Sequence, residues 1–96
     1  MLIHIVVWKY REDVGGDVRS KHVESLKALK GLVSGIHRFE IGTDVLHLDR
    51  SYHTGLVIAF EDRDALDAYT LHPEHMKVAG MGKEISAHVA SVDFIV

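Results

Sequence analysis

The chain has 96 residues, no cysteine, one proline and a formal charge of −3 from 11 basic and 14 acidic side chains, its eight histidines counted as neutral. One small domain follows, disulfides are excluded, and folding at this size buries only roughly 60–70% of the unfolded chain's surface, so a partner chain or a metal is the remaining source of extra stability. The lack of any Lys/Arg-rich run argues against nucleic acid and against anionic membrane surfaces, both of which need clustered positive charge.

Leu2 to Tyr10 is rich in β-branched and aromatic residues and reads as a first strand, closed by Arg11-Glu12-Asp13 and Gly15-Gly16. It lacks the basic flank and small-residue cleavage site of a targeting segment and is too short to span a bilayer. With no cysteine to oxidise, a cytoplasmic protein is expected. Asp17 is the expected N-cap of a helix in which His22, Leu26, Leu29 and Val33 recur every three or four residues, ending near Gly35.

Ile36 to about Val45, with Phe39 and Ile41 on one face, and Tyr52 to Phe60 read as two strands of a hairpin. Asp62 and Asp64 open a second helix carrying Leu66 and Tyr69. His72-Pro73 interrupts it, because the residue before a proline is pushed out of the helical region. A further turn of helix runs from Pro73 to about Val78, ended by Gly80 and Gly82, and His88 to Val96 is the last strand. No internal repeat or linker divides the chain.

The order strand, helix, strand, strand, helix, strand is that of a ferredoxin-like α+β fold, a four-stranded antiparallel sheet with both helices on one face. Two helices cover one face only. Yet strand one is apolar on both sides, with Ile3, Ile5 and Val7 alternating with Val6, Trp8 and Tyr10, and strand three repeats this with Leu56, Ile58 and Phe60 against Val57 and Ala59. A sheet facing water on one side alternates more cleanly, so a second copy of the same sheet is expected on the open face, making a homodimer.

The opening His4-Ile5-Val6-Val7-Trp8-Lys9-Tyr10, Gly42-Thr43-Asp44, Phe60-Glu61-Asp62 leading into Leu66-Asp67-Ala68-Tyr69, His72-Pro73-Glu74-His75 and the closing Val92-Asp93-Phe94 resemble the stress-responsive dimeric α/β-barrel family, Dabb, over nearly the whole chain. The resemblance implies homodimers whose sheets pack face to face into a barrel. It also implies varied functions: many members are known only as stress-induced proteins, while a plant polyketide cyclase uses a tyrosine and a histidine at positions matching Tyr69 and His75. His4 is retained as well. The family enzyme's aromatic lining on the first helix is replaced by His22, Val23 and Leu26, so its substrate does not carry over.

Tyr69 and His75 are therefore the candidate catalytic residues. A histidine titrates near neutrality and accepts a proton, and a tyrosine hydroxyl donates to a carbonyl where negative charge develops. On an unbroken helix six residues turn about 240° net, so convergence of the two requires the break at Pro73. The alternative keeps Tyr69 as a core residue and His72 and His75 as groups that cap and orient the turn.

His4, Val6 and Trp8 are assigned to the face lining the barrel interior, and with His22, Leu56, Ile58 and His72 they are the candidate ligand-binding residues around a small, mostly apolar pocket between helices and sheet. The expected ligand is a carbonyl-bearing molecule, cyclised or isomerised without a cofactor. A non-catalytic ligand carrier and a cofactor-independent monooxygenase of the same architecture are the competing readings. No metal site is expected, because His72 and His75 are separated by the proline break and no HExxH or second paired cluster accompanies them.

Overall fold

The structure, a computed structural model, describes residues 1–96. In chain order it comprises β1 (Leu2–Tyr10), α1 (Gly16–Lys27), β2 (Ile36–Thr43), β3 (Thr54–Phe60), α2 (Arg63–Leu71), α3 (Pro73–Ile85) and β4 (Ser86–Ile95). The strands form one antiparallel sheet in the order β2-β3-β1-β4, so the ferredoxin-like fold read from the sequence is the fold observed. No helix is long and apolar enough to cross a membrane.

Register fixes the two faces. His4 lies opposite Ile58 on β3 and Asp93 on β4, and Trp8 opposite Thr54 and Val89. Side chains alternate along a strand, so Leu2, His4, Val6, Trp8 and Tyr10 share one face with Leu56, Ile58 and Phe60. This chain's own helices cover that face: Leu26, Leu29, Tyr69 and Val78 join it in one core in which Ile58 and Phe60 are fully buried. The assignment of His4, Val6 and Trp8 to the barrel interior is thereby corrected. The uncovered face is the other one, formed by Ile3, Ile5, Val7, Val57, Ala59, Ala90, Val92 and Phe94. Because both faces of β1 and β3 are apolar, composition does not say which one the helices choose.

Six element boundaries also differ from expectation. The N-cap of α1 is Gly15, and Asp17 stands inside the first turn, where its carboxylate meets the positive end of the helix dipole. The α-helix stops at Lys27 and tightens into i to i−3 turns, with Leu29 N–H donating to Leu26 O and Leu32 N–H to Leu29 O at 3.0 Å each. Leu29 thus stays buried beyond the helix end. The segment turns into β2 at Gly35, whose φ of +89° excludes most side chains and whose missing Cβ would lie 2.8 Å from Ala65 Cβ. At the hairpin, Val45 and Tyr52 fall in the loop.

The largest difference is α3, which continues through Gly80 and Gly82 to Ile85 and moves the start of β4 to Ser86. Gly82 serves contact, not termination. A Cβ there would lie 2.7 Å from His22 Nε2 and 2.9 Å from Trp8 Nε1, so only glycine lets α3 approach α1 and β1 this closely. His72 separates the two helices as expected, with extended backbone (ψ 133°). It closes α2 and caps α3, its Nδ1 accepting from Glu74 N–H at 3.1 Å.

Candidate active site

Between the sheet and α2–α3 lies a cavity of about 390 Å³. Its apolar wall is Val6, Trp8, Leu26, Leu56, Ala79 and Val89, and its polar groups are His4, Tyr69, Thr70, His75, Lys83 and Ser91. Tyr69 is supplied by the last full turn of α2 and His75 by the first turn of α3. The break at His72-Pro73 folds one onto the other, with ring centroids 4.4 Å apart. His4 completes the polar end, its ring 6.4 Å from that of Tyr69.

The Tyr69 side chain is 1% exposed, and its hydroxyl has no hydrogen-bond partner. Burial pushes its pKa up to about 12, so it remains a protonated donor at neutral pH. A buried hydroxyl without a partner costs free energy; the Tyr69 oxygen is closed off from solvent, so an acceptor in the cavity reaches it once a neighbouring side chain gives way.

Hydrogen bonds orient the two imidazoles. His75 Nδ1–H donates to the Thr70 carbonyl at 3.0 Å, which leaves the lone pair on Nε2. Burial lowers the pKa of His75 by more than the Thr70 hydrogen bond raises it, with smaller lowering by His4 and His72, so the ring is neutral at pH 7 and able to take a proton. His4 Nδ1–H donates to the Asp93 carboxylate, which faces it across the β1–β4 pair. That bond orients the His4 ring. One protonated donor, one oriented proton acceptor and a second imidazole held by a carboxylate thus meet at one end of an apolar cavity. Such a set suits removal of a proton next to a carbonyl whose oxygen is held by Tyr69.

Of the residues singled out in the sequence, His4, Val6, Trp8, Leu56, Tyr69 and His75 line the cavity, and His22, Ile58 and His72 do not. Ile58 is core beneath it. His72 is the cap described above. His22, 1% exposed, lies behind Trp8 with ring centroids 5.1 Å apart, and its Nδ1 is hydrogen-bonded to Tyr10 Oη at 2.7 Å, which in turn bonds Thr54 Oγ1 at 2.8 Å. Desolvation lowers its pKa, which makes it a neutral core histidine. Of the three first-helix positions that the resemblance made lining, Leu26 lines the cavity and His22 and Val23 do not; residues not foreseen are Thr70, Ala79, Lys83, Val89, Ser91 and, behind His4, Asp93. The opposition of His4 to Asp93 follows from strand register, and the alignment of Ala79 and Lys83 with His75 follows from the length of α3, which runs past the expected end near Val78 to Ile85. No three histidine or carboxylate side chains converge in a metal-ligating arrangement.

A ferredoxin-like α+β protein with a helix-side cavity is the class that fold and site define. Within it, the description "Stress responsive A/B Barrel Domain" (Dabb) matches residues 2–96, and the chain belongs to that family. It is 31% identical, over 95% of its length and 82% of the relative's, to a stress-response A/B barrel domain-containing protein of Arabidopsis thaliana. Among solved structures it is similar to a dimeric ferredoxin-like protein of unknown function from Thermobifida fusca (TM-score 0.90, 20% identity, 99% of this chain and 90% of that one). It is also similar to a dimeric protein of unknown function with a ferredoxin-like fold from Bacteroides fragilis (TM-score 0.84, 27% identity, 99% and 95%).

Proposed function

We propose that the protein is a homodimer, closed through the open sheet face, that binds a small, mostly apolar carbonyl compound in the helix-side cavity and moves a proton next to that carbonyl. The observation that carries the ligand reading is the unpartnered Tyr69 hydroxyl, buried at the wall of the cavity beside His75. In the reaction, Tyr69 Oη–H donates to the carbonyl oxygen and His75 Nε2 accepts the α-proton. The resulting enolate either returns the proton at another carbon, an isomerisation, or attacks a second carbonyl of the same molecule, a cyclisation. His4, oriented by Asp93, is the proposed shuttle for the proton. No cofactor is needed for this chemistry.

The dimer reading is supported by the exposure of Val92 (52%) and Phe94 (42%) beside Ile3, Ile5 and Val57, and by the dimeric protein at 27% identity. A cytoplasmic location is part of the same proposal and follows from the cysteine-free composition.

Deuterium exchange at the α-carbon of 2-octanone and of a β-diketone, followed by NMR in heavy water, tests the chemistry. Exchange faster than in buffer and lost in His75→Gln is expected. Binding without His75-dependent exchange would instead make the protein a carrier, and oxygen consumption with quinol-type substrates would make it an oxygenase.

A further inference from the structure

The cavity has two ends, and they differ in chemistry. His75, Ala79 and Lys83 lie at intervals of four along α3 and all three line the wall, so a stripe of that helix runs the length of the cavity. Eight residues of helix place Lys83 about 12 Å from His75 along the axis. Strand β1 gives a second measure: His4 and Trp8 are four residues apart, about 13 Å. The ends coincide, because His4 and His75 both approach Tyr69 while Gly82, next to Lys83, is seated against Trp8.

Lys83 is the only fixed charge on the wall. No carboxylate lines the cavity, Lys83 has no ion-pair partner, and the middle between the two ends is Val6, Leu26, Leu56 and Ala79 with the one hydroxyl of Ser91, which lies opposite Val6. In a chain of net charge −3, an unpaired cation at the mouth of an apolar cavity favours a ligand that brings the opposite charge.

We infer that the ligand is a keto acid of medium length: a carbonyl at Tyr69, an apolar linker along Val6, Leu56 and Ala79, and a carboxylate at Lys83. This rests on the ligand reading above and adds the substrate class. Lys83 is a binding residue here and takes no part in proton transfer.

The test uses three probes of matched length: 7-oxooctanoate, 2-octanone, which lacks the carboxylate, and octanoate, which lacks the ketone. Trp8 is the sole tryptophan and lines the cavity, so its fluorescence reports binding. Expected is binding of 7-oxooctanoate about three- to tenfold tighter than 2-octanone, an advantage that shrinks with added salt. Lys83→Met equalises the two, Lys83→Arg retains the difference, and Lys77→Met, outside the cavity, changes neither. Equal affinities in the unaltered protein, or an advantage that survives Lys83→Met, would overturn the inference. The parent reading is scored separately, by whether 2-octanone binds and is weakened by Tyr69→Phe while octanoate is not. If 2-octanone fails to bind or ignores Tyr69→Phe, that reading falls and this inference with it.

Discussion

On the helix side of the sheet, Leu56, Ile58 and Phe60 are 2%, 0% and 0% exposed, whereas on the other side Val92 and Phe94 remain 52% and 42% exposed although their neighbours are equally apolar. The two faces share strands, β-propensity and much of their composition. They differ in where their polar groups lie, those of the open face, such as the ion-paired Arg38 and Glu40 on β2, being at its edge. The helix face carries His4, Tyr69 and His75 around a cavity, and the open face has an uninterrupted apolar centre of Ile3, Ile5, Val7, Val57, Val92 and Phe94. One face is thus built to leave a hole with polar groups in it, and the other to be filled by a complementary surface. A contiguous apolar patch of that kind marks an interaction site, and the isologous partner proposed for it is a second copy.

A charge placed on the open face breaks the comparison most strongly. Val57→Asp would place an unpaired carboxylate in the centre of the proposed interface, at a cost of about 3–5 kcal/mol. The expected outcome in sedimentation velocity at micromolar concentration is loss of the dimer together with much of the folded signal. If the unaltered chain sediments as a stable monomer, the open face has no such role.

The next largest effect belongs to the helix face. Gly82→Ala sets a methyl 2.7 Å from His22 Nε2 and 2.9 Å from Trp8 Nε1, and overpacking of this kind costs typically about 1–3 kcal/mol. Gly80→Ala, on the same helix with nothing within 4 Å of the added carbon, is expected to stabilise by roughly 0.5–1 kcal/mol. Urea denaturation of the pair separates close approach from helix propensity. If both substitutions stabilise, α3 does not pack as described.

Acid should also act through the helix face. Desolvation lowers the pKa of both His22 and His75, so in the folded protein they resist a proton that the unfolded chain takes up near its ordinary value of about 6.5. Their neutral burial is therefore without penalty above that pH, and stability falls as pH drops below it through the folded values. The thermal midpoint should decline on acidification, with a shallower slope in His22→Gln even though that variant is less stable at pH 8. An unchanged slope would mean that His22 does not resist protonation in the fold.

These outcomes also bear on what the sequence made legible. The order of elements was readable because the apolar period changes from two to between three and four at each junction, and the break before Pro73 is a steric necessity. The end of α3 was not, because Gly82 reads as a stop signal until its neighbours are known: the residue is small because Trp8 and His22 crowd it. His22 and His72 looked like ligand groups for a related reason. Residue type advertises chemistry, but whether an imidazole faces a cavity, as His4 and His75 do, or is consumed by a tyrosine or a cap, depends on contacts between segments far apart in sequence. Which apolar face the helices cover is hidden likewise, since both faces of β1 and β3 have enough apolar residues to form a core.

The smallest expected change in stability belongs to Tyr69→Phe, which sharpens the comparison most. In a face built only for packing, a buried tyrosine hydroxyl finds a partner and its removal costs about 0.5–1.5 kcal/mol. Here the hydroxyl has none, so the phenylalanine keeps the ring contacts with Phe60 and His75 and removes only a desolvated polar atom. Urea denaturation should show a change within about 1 kcal/mol of zero or a slight gain, while affinity for 2-octanone falls, because the donor that holds its carbonyl is gone. A clear loss of stability with unchanged ketone binding would assign the hydroxyl to the core, and the helix face would then be the same kind of packed surface as the open one.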